Sequence, residues 1–140
     1  SGGGNHFVEF GEITLQEKNV LNLPEGSYLA LLSHSGSRGL GAAIAKHYSL
    51  LAREVCRLPR EAQHFAWLDL NTEEGQEYWM SMNLAGDYAR ACHERIHLNL
   101  AKALGLKPLA NVNNHHNFAW KEEITPGRMA IVHRKGATPA

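Results

Sequence analysis

The longest periodic pattern in the chain sets the frame for the rest. Tyr78, Met82, Ala85, Ala89, Cys92, Ile96, Leu100 and Ala103 recur at steps of three and four, the spacing that lines one face of an α-helix. Asn71, with Glu74 three residues later, has the form of a helix N-cap, and Gly105 followed by Pro108 closes the pattern. The spacing predicts one long helix, or two joined near Gly86. An apolar stripe of that length must be buried against another layer. Its Met and aromatic positions are read as core packing before any cofactor role.

A second helical pattern runs from about Leu40 to Arg57, with Ile44, Tyr48, Leu51 and Val55 in register and Pro59 stopping it. His47 lies beside that stripe and is read as structural or solvated. Before these helices, residues 5–13 alternate, with His6, Val8 and Phe10 on one face and Phe7 and Glu9 on the other. Leu29 to Leu32 is a continuous apolar run, which predicts a strand covered on both faces. After the helices, Thr125-Pro126-Gly127-Arg128 reads as a turn and residues 129–133 as a short strand. Strands, helices, then strands again predict an α+β fold with a mixed β-sheet core and one or two long helices, organised as a single segment over residues 1–140.

Charge and cysteine content narrow the function classes. Fourteen basic and fourteen acidic residues cancel, which argues against a surface that coats nucleic acid generally and leaves room for a local basic pocket. Cys56 and Cys92 both fall inside helical patterns and read as reduced thiols, hence a cytoplasmic expectation. No apolar run approaches the roughly 20 residues that span a bilayer, so no membrane partner is expected.

The stretch Ser33-His34-Ser35-Gly36-Ser37-Arg38-Gly39-Leu40-Gly41 joins the apolar run to the first helix. Its glycines allow a tight turn and close approach to a ligand. Ser35, Ser37 and Arg38 are donors for an oxyanion, and the open N–H groups of the following helix would point the same way. The bland alternative is a glycine-rich turn that only reverses the chain.

Two constellations of histidines compete for a metal. His93-Glu94-Arg95-Ile96-His97 fits the H-E-x-x-H pattern of zinc hydrolases, with the histidines as ligands and Glu94 as base. The extended pattern lacks its third histidine, since Leu100 and Ala103 stand downstream, and Glu122 is the candidate late ligand. His6, His34 and His116 lie instead at or beside strands in three separate segments, next to Gly or Asn. Histidines from separate segments can converge on one ion, and Asn5 and Asn117 could orient a ring or a bound nucleotide.

Four motifs occur in order: Gly2-Gly3-Gly4-Asn5-His6-Phe7-Val8-Glu9, His34-Ser35-Gly36-Ser37-Arg38-Gly39, His116-Asn117 and Arg134-Lys135-Gly136-Ala137. Together they resemble the core motifs of the RtcB family of RNA-splicing ligases, over essentially all 140 residues. The resemblance implies a GTP- and Mn2+-dependent ligase that joins RNA 2′,3′-cyclic phosphate or 3′-phosphate ends to 5′-hydroxyl ends through a guanylylated histidine. It implies a role in tRNA splicing or RNA repair, with tRNA halves or broken RNA as substrate, two Mn2+ ions, GTP and a helper protein of unknown identity. Carried over by motif, His6, His34 and His116 are metal ligands. Asn5, Glu9 and His116 contact the guanylate, and Ser37 and Arg38 contact an RNA phosphate or triphosphate. By the same resemblance, His93 and His97 lie on a structural helix. The family's guanylylated histidine is expected beyond Ala140 and its metal-binding Asp and Cys before Gly2. The chain is therefore expected to be a central fragment without activity of its own. Ile124 stands where many members carry histidine. The alternatives are the zinc hydrolase built on His93, Glu94 and His97, and a non-catalytic metal- or RNA-binding relative.

Overall fold

The computed structural model describes residues 6–137. In chain order they form β1 (Phe7–Leu15), β2 (Gly26–His34), α1 (Leu40–Cys56), a short 3₁₀ turn (Arg60–Phe65), α2 (Glu73–Ala103), β3 (Asn117–Thr125) and β4 (Arg128–Lys135). The class is α+β, as expected. The described strands pair as two separate antiparallel two-stranded sheets, β1 with β2 and β3 with β4. The chain divides into two compact units, Ser1–Ala110 and Asn111–Ala140.

In the first unit, β1 and β2 pair in unbroken register from Phe7 opposite His34 to Leu15 opposite Gly26. Asn19 organises the connection between them. Its Nδ2 donates to the carbonyls of Gln16 and Leu23, each at 2.8 Å, while its Oδ1 accepts from the N–H groups of Leu21 and Leu23. One side chain thus replaces the strand pairing that the polar loop lacks. The apolar run of β2 is not covered on both faces: Leu29 and Leu32 are 67% and 55% exposed. Leu29 and Leu32 are three apart and so lie on opposite faces of the ribbon; the contact with α2 leaves both largely exposed.

The helices pack on each other through small residues and a pair of tyrosines. Ala52 of α1 and Ala85 and Ala89 of α2 are buried. The Tyr48 and Tyr78 rings lie 5.1 Å apart, and the Tyr48 hydroxyl stands 3.4 Å from the Ser81 Oγ. Small side chains at the crossing let the helix axes approach.

α2 is one helix of 31 residues. Gly86 is buried within it, where packing outweighs the roughly 1 kcal/mol that an interior glycine costs. The N-cap is Thr72, not Asn71. Thr72 Oγ1 accepts from the Gly75 N–H at 3.2 Å, while Asn71 is turned back, its N–H donating to Asp69 Oδ1. At the far end Gly105 takes a positive φ of 65° and the Leu106 N–H donates to the Ala101 carbonyl, closing the helix as a glycine C′ position allows.

Gly75 yields a stability test. A methyl group there would run into the Asp69 carbonyl and approach Leu70 Cα, both backbone. Overpacking costs about 1–3 kcal/mol, against a helix-propensity gain of about 1 kcal/mol for alanine. Backbone atoms cannot rotate away, so the clash wins. Gly75→Ala is expected to lower Tm by several degrees in a thermal melt; an unchanged or higher Tm would contradict this packing.

In the second unit β3 and β4 pair from Asn117 opposite Lys135 to Thr125 opposite Arg128, with a register shift between Glu123 and Thr125. β4 extends the expected 129–133 strand by a residue or two at each end, and β3 is the strand beside His116, whose span the residue pattern did not give. Arg134 lies over the Trp120 ring, 5.2 Å from its centroid, and its two terminal nitrogens grip both oxygens of Glu122. That grip holds the Glu122 carboxyl below its usual pKa.

Candidate metal and phosphate site

The register of the first hairpin creates the site. Because Phe7 pairs with His34, the residue before β1 and the last residue of β2 meet at one end of the ribbon. The His6 and His34 rings lie 5.9 Å apart, edge to face, and Phe7 packs against His34 at 5.7 Å. They open onto a depression of about 300 Å³ lined by His6, Phe7, Val8, His34, Ser35, Arg38 and Ile96. Glu9 lies two residues along the same ribbon face as Phe7 and His34, outside that lining.

The turn after β2 presents the cationic group. Arg38 has φ 57° and Gly39 has φ 98°, so two successive residues are left-handed. An L-residue in that region costs roughly 1–2 kcal/mol. Arg38 lines the depression and its Nη1 reaches Ser35 Oγ at 3.5 Å. Ser37 closes the start of α1: its Oγ accepts from the Gly41 N–H at 2.8 Å and its carbonyl accepts from the Leu40 N–H. Two of the helix N–H groups expected to face a ligand are thus engaged by Ser37. The Ser37 hydroxyl proton and the Arg38 guanidinium are the donors that remain for an anion.

α2 supports this end of the ribbon from behind. His93 Nε2 lies 3.2 Å from the Ser35 carbonyl, and His97 Nε2 lies 2.8 Å from Ser33 Oγ. A carbonyl oxygen can only accept, so His93 Nε2 carries its proton there and cannot also ligate a metal. Burial, and then the neighbouring His93, push the His97 pKa below its ordinary value. Both Nε2 atoms of the H-E-x-x-H helix are therefore engaged by β2 and its turn. Glu122, the candidate third zinc ligand, has both carboxylate oxygens on Arg134.

His116 belongs to the second unit. Its carbonyl accepts from the N–H groups of Gly136 and Ala137, at 2.7 and 3.2 Å. The His116-Asn117 and Arg134-Lys135-Gly136-Ala137 motifs are thus brought together across one hairpin. Asn5 lies outside the described residues. Among the described residues no three His, Cys, Asp or Glu side chains stand together as a metal site. The first unit brings together two imidazoles, His6 and His34. A metal sits about 2.0–2.1 Å from an imidazole nitrogen, and two rings at this separation fit as donors to one ion. Imidazole is acceptable to Mn2+ and better suited to softer ions.

The family model for tRNA-splicing ligase RtcB matches the chain over residues 1–140. The chain belongs to the RtcB family. It is similar to the tRNA-splicing ligase RtcB of Methanococcus maripaludis, at 30% identity over 99% of this chain and 33% of that protein. It is likewise similar to the tRNA-splicing ligase RtcB of Methanocaldococcus jannaschii, at 32% identity over 99% of this chain and 16% of that protein. The RNA-splicing ligase RtcB homolog 1 of Entamoeba dispar is 29% identical over 99% of this chain and 29% of its own length. The chain thus spans a third or less of these RtcB relatives.

The support from His93 and His97 was not read from the sequence. Its only trace there is the Ser33 hydroxyl beside His34, with polar histidines bordering an apolar helix stripe; the Ser35 partner is a backbone carbonyl, which leaves no sequence signal.

Proposed function

We propose that residues 1–140 form a central segment of the ligase domain of a GTP- and Mn2+-dependent RNA ligase. The reaction joins RNA 2′,3′-cyclic phosphate or 3′-phosphate ends to 5′-hydroxyl ends, on tRNA halves or broken RNA. The observation that carries this reading is the meeting of His6, His34 and Arg38 around one depression in a member of the RtcB family. His6 and His34, with His116, hold Mn2+. Asn5, Glu9 and His116 bind the guanylate of GTP. Ser37 and Arg38 bind the phosphate of an RNA end or of the triphosphate. When bound, Mn2+ neutralises phosphate charge and orients the attacking and leaving groups.

The chain's own residues suit this work. Arg38 offers a planar fork that matches a phosphate bidentately, which lysine would not reproduce. Its left-handed backbone fixes where the side chain leaves the turn. Ser37 donates its hydroxyl proton to the same anion while the Gly41 N–H holds its oxygen still. The acceptor of the guanylyl group is a histidine outside residues 1–140, and an aspartate and a cysteine outside them complete the metal site. The cytoplasm is the compartment that fits two unpaired thiols. Among the described residues no helix is long and apolar enough to cross a membrane.

The test is incubation of the full protein, and separately of residues 1–140, with radiolabelled GTP, Mn2+ and an RNA pair bearing a 2′,3′-cyclic phosphate and a 5′-hydroxyl. The full protein is expected to acquire covalent label and to join the ends; the 140 residues alone are expected to do neither. Covalent transfer needs a nucleophile held beside a neutralised phosphate. Joining without GTP or Mn2+, an adduct on the 140 residues, or no joining by the full protein would overturn the reading. The last outcome would favour a non-catalytic relative.

A further inference from the structure

We infer that His93 and His97 of α2 are positioning residues for His34, gripping the chain on both sides of it and so setting the direction of its imidazole. This rests on the reading of His34 as a metal ligand. In a strand, alternate side chains point to opposite faces. Ser33, just before His34, turns its hydroxyl to His97, and Ser35, just after, offers its carbonyl to His93. The His34 ring, between them, packs against His6 and Phe7.

The match is one of periods. Residues four apart on a helix are displaced about 6 Å along its axis, and residues two apart on a strand about 6.6–6.8 Å. A helix running against the end of β2 can therefore place two histidines, one turn apart, on Ser33 within the strand and on Ser35 just past its end, which bracket His34. The polarity is fixed at one contact, since the Ser35 carbonyl demands an N–H from His93. Rotation of the His34 backbone would break one hydrogen bond or the other. Groups that orient a ligand without touching the metal typically change its affinity by about tenfold to a hundredfold.

A merely structural role, tying α2 to the hairpin, would move Tm and leave the metal alone. The experiment is titration of Mn2+ into the full protein, followed by paramagnetic resonance of the free ion, with a thermal melt on each variant. His93→Leu and His97→Leu keep bulk and remove the hydrogen bond; each is expected to weaken Mn2+ binding about tenfold or more. His93→Gln restores an N–H at a similar reach and is expected to recover most of the affinity. Should the leucine variants not fold, Ser33→Ala removes the partner of His97 at the strand end and is expected to show the same weakening. Variants that lower Tm but bind Mn2+ as the parent does would overturn the proposal. His34→Ala separates the two ideas. If it leaves Mn2+ binding unchanged, the ligand reading itself fails. If it removes binding while the α2 and Ser33 variants bind normally, the positioning role alone fails.

Discussion

In the full protein, His34→Ala is expected to slow RNA joining by at least about a hundredfold. Groups that only orient a metal ligand cost about tenfold to a hundredfold when removed, so a ligand itself belongs at or above the top of that range. The fold should survive the change. His34 is the last residue of β2, its pairing with Phe7 runs through the backbone, and alanine retains that backbone. Rate constants measured beside a thermal melt separate the two effects. A rate within tenfold of the parent would remove His34 from the site.

Arg38 carries the second large effect. Arg38→Ala is expected to lose a charge-assisted contact worth roughly 1.5–3 kcal/mol, about ten- to a hundredfold in the phosphate-dependent step. Arg38→Lys keeps the charge without the fork and should recover only part. The backbone supplies a control. Arg38 occupies the left-handed region at φ 57°, where glycine avoids a cost of roughly 1–2 kcal/mol. Arg38→Gly is therefore expected to match Arg38→Ala in activity while melting at or above the parent. An active Arg38→Gly variant would mean the stretch is only a turn. The expected combination, stability kept and rate lost, marks a strained residue retained for binding.

Much of the fold was legible because it rests on periodicity. Both helices stand where the spacing put them: Ile44, Tyr48, Leu51 and Tyr78 are half-buried and Ala85 and Ala89 buried, while Val55 of the same stripe is 58% exposed. The boundary at Asn71 was off by one residue because Asp69 captured the Asn71 N–H and left Thr72 to cap. The span of β3 was illegible for another reason. Lys121, Glu122 and Glu123 interrupt any alternation after Trp120, and the strand is held by backbone pairing and by Arg134 reaching across Trp120 to Glu122. The Leu29–Leu32 run reads as a doubly covered strand, but Leu29 and Leu32, on opposite faces of the ribbon, are both largely exposed.

The site divides in the same way. His6 and His34 could be singled out because each abuts a strand, and the order of four motifs gave them roles by resemblance. That their rings meet follows from the Phe7–His34 register, a non-local fact. The work of His93 and His97 was hidden for the same reason. Their spacing announces a shared helix face, and only the tertiary fold shows that the face meets Ser33 and Ser35 rather than zinc.

His6 and His34 are expected to hold one ion between them. The most direct measurement is the Mn2+ dissociation constant of the full protein in a double-substitution cycle: parent, His6→Ala, His34→Ala and both. Groups that share one partner are coupled, and independent ones add. If the two imidazoles serve one ion, either single substitution weakens binding strongly and the double variant is little weaker than the weaker single one. Additive losses, or Mn2+ binding that none of the substitutions changes, would show that the two imidazoles do not share an ion.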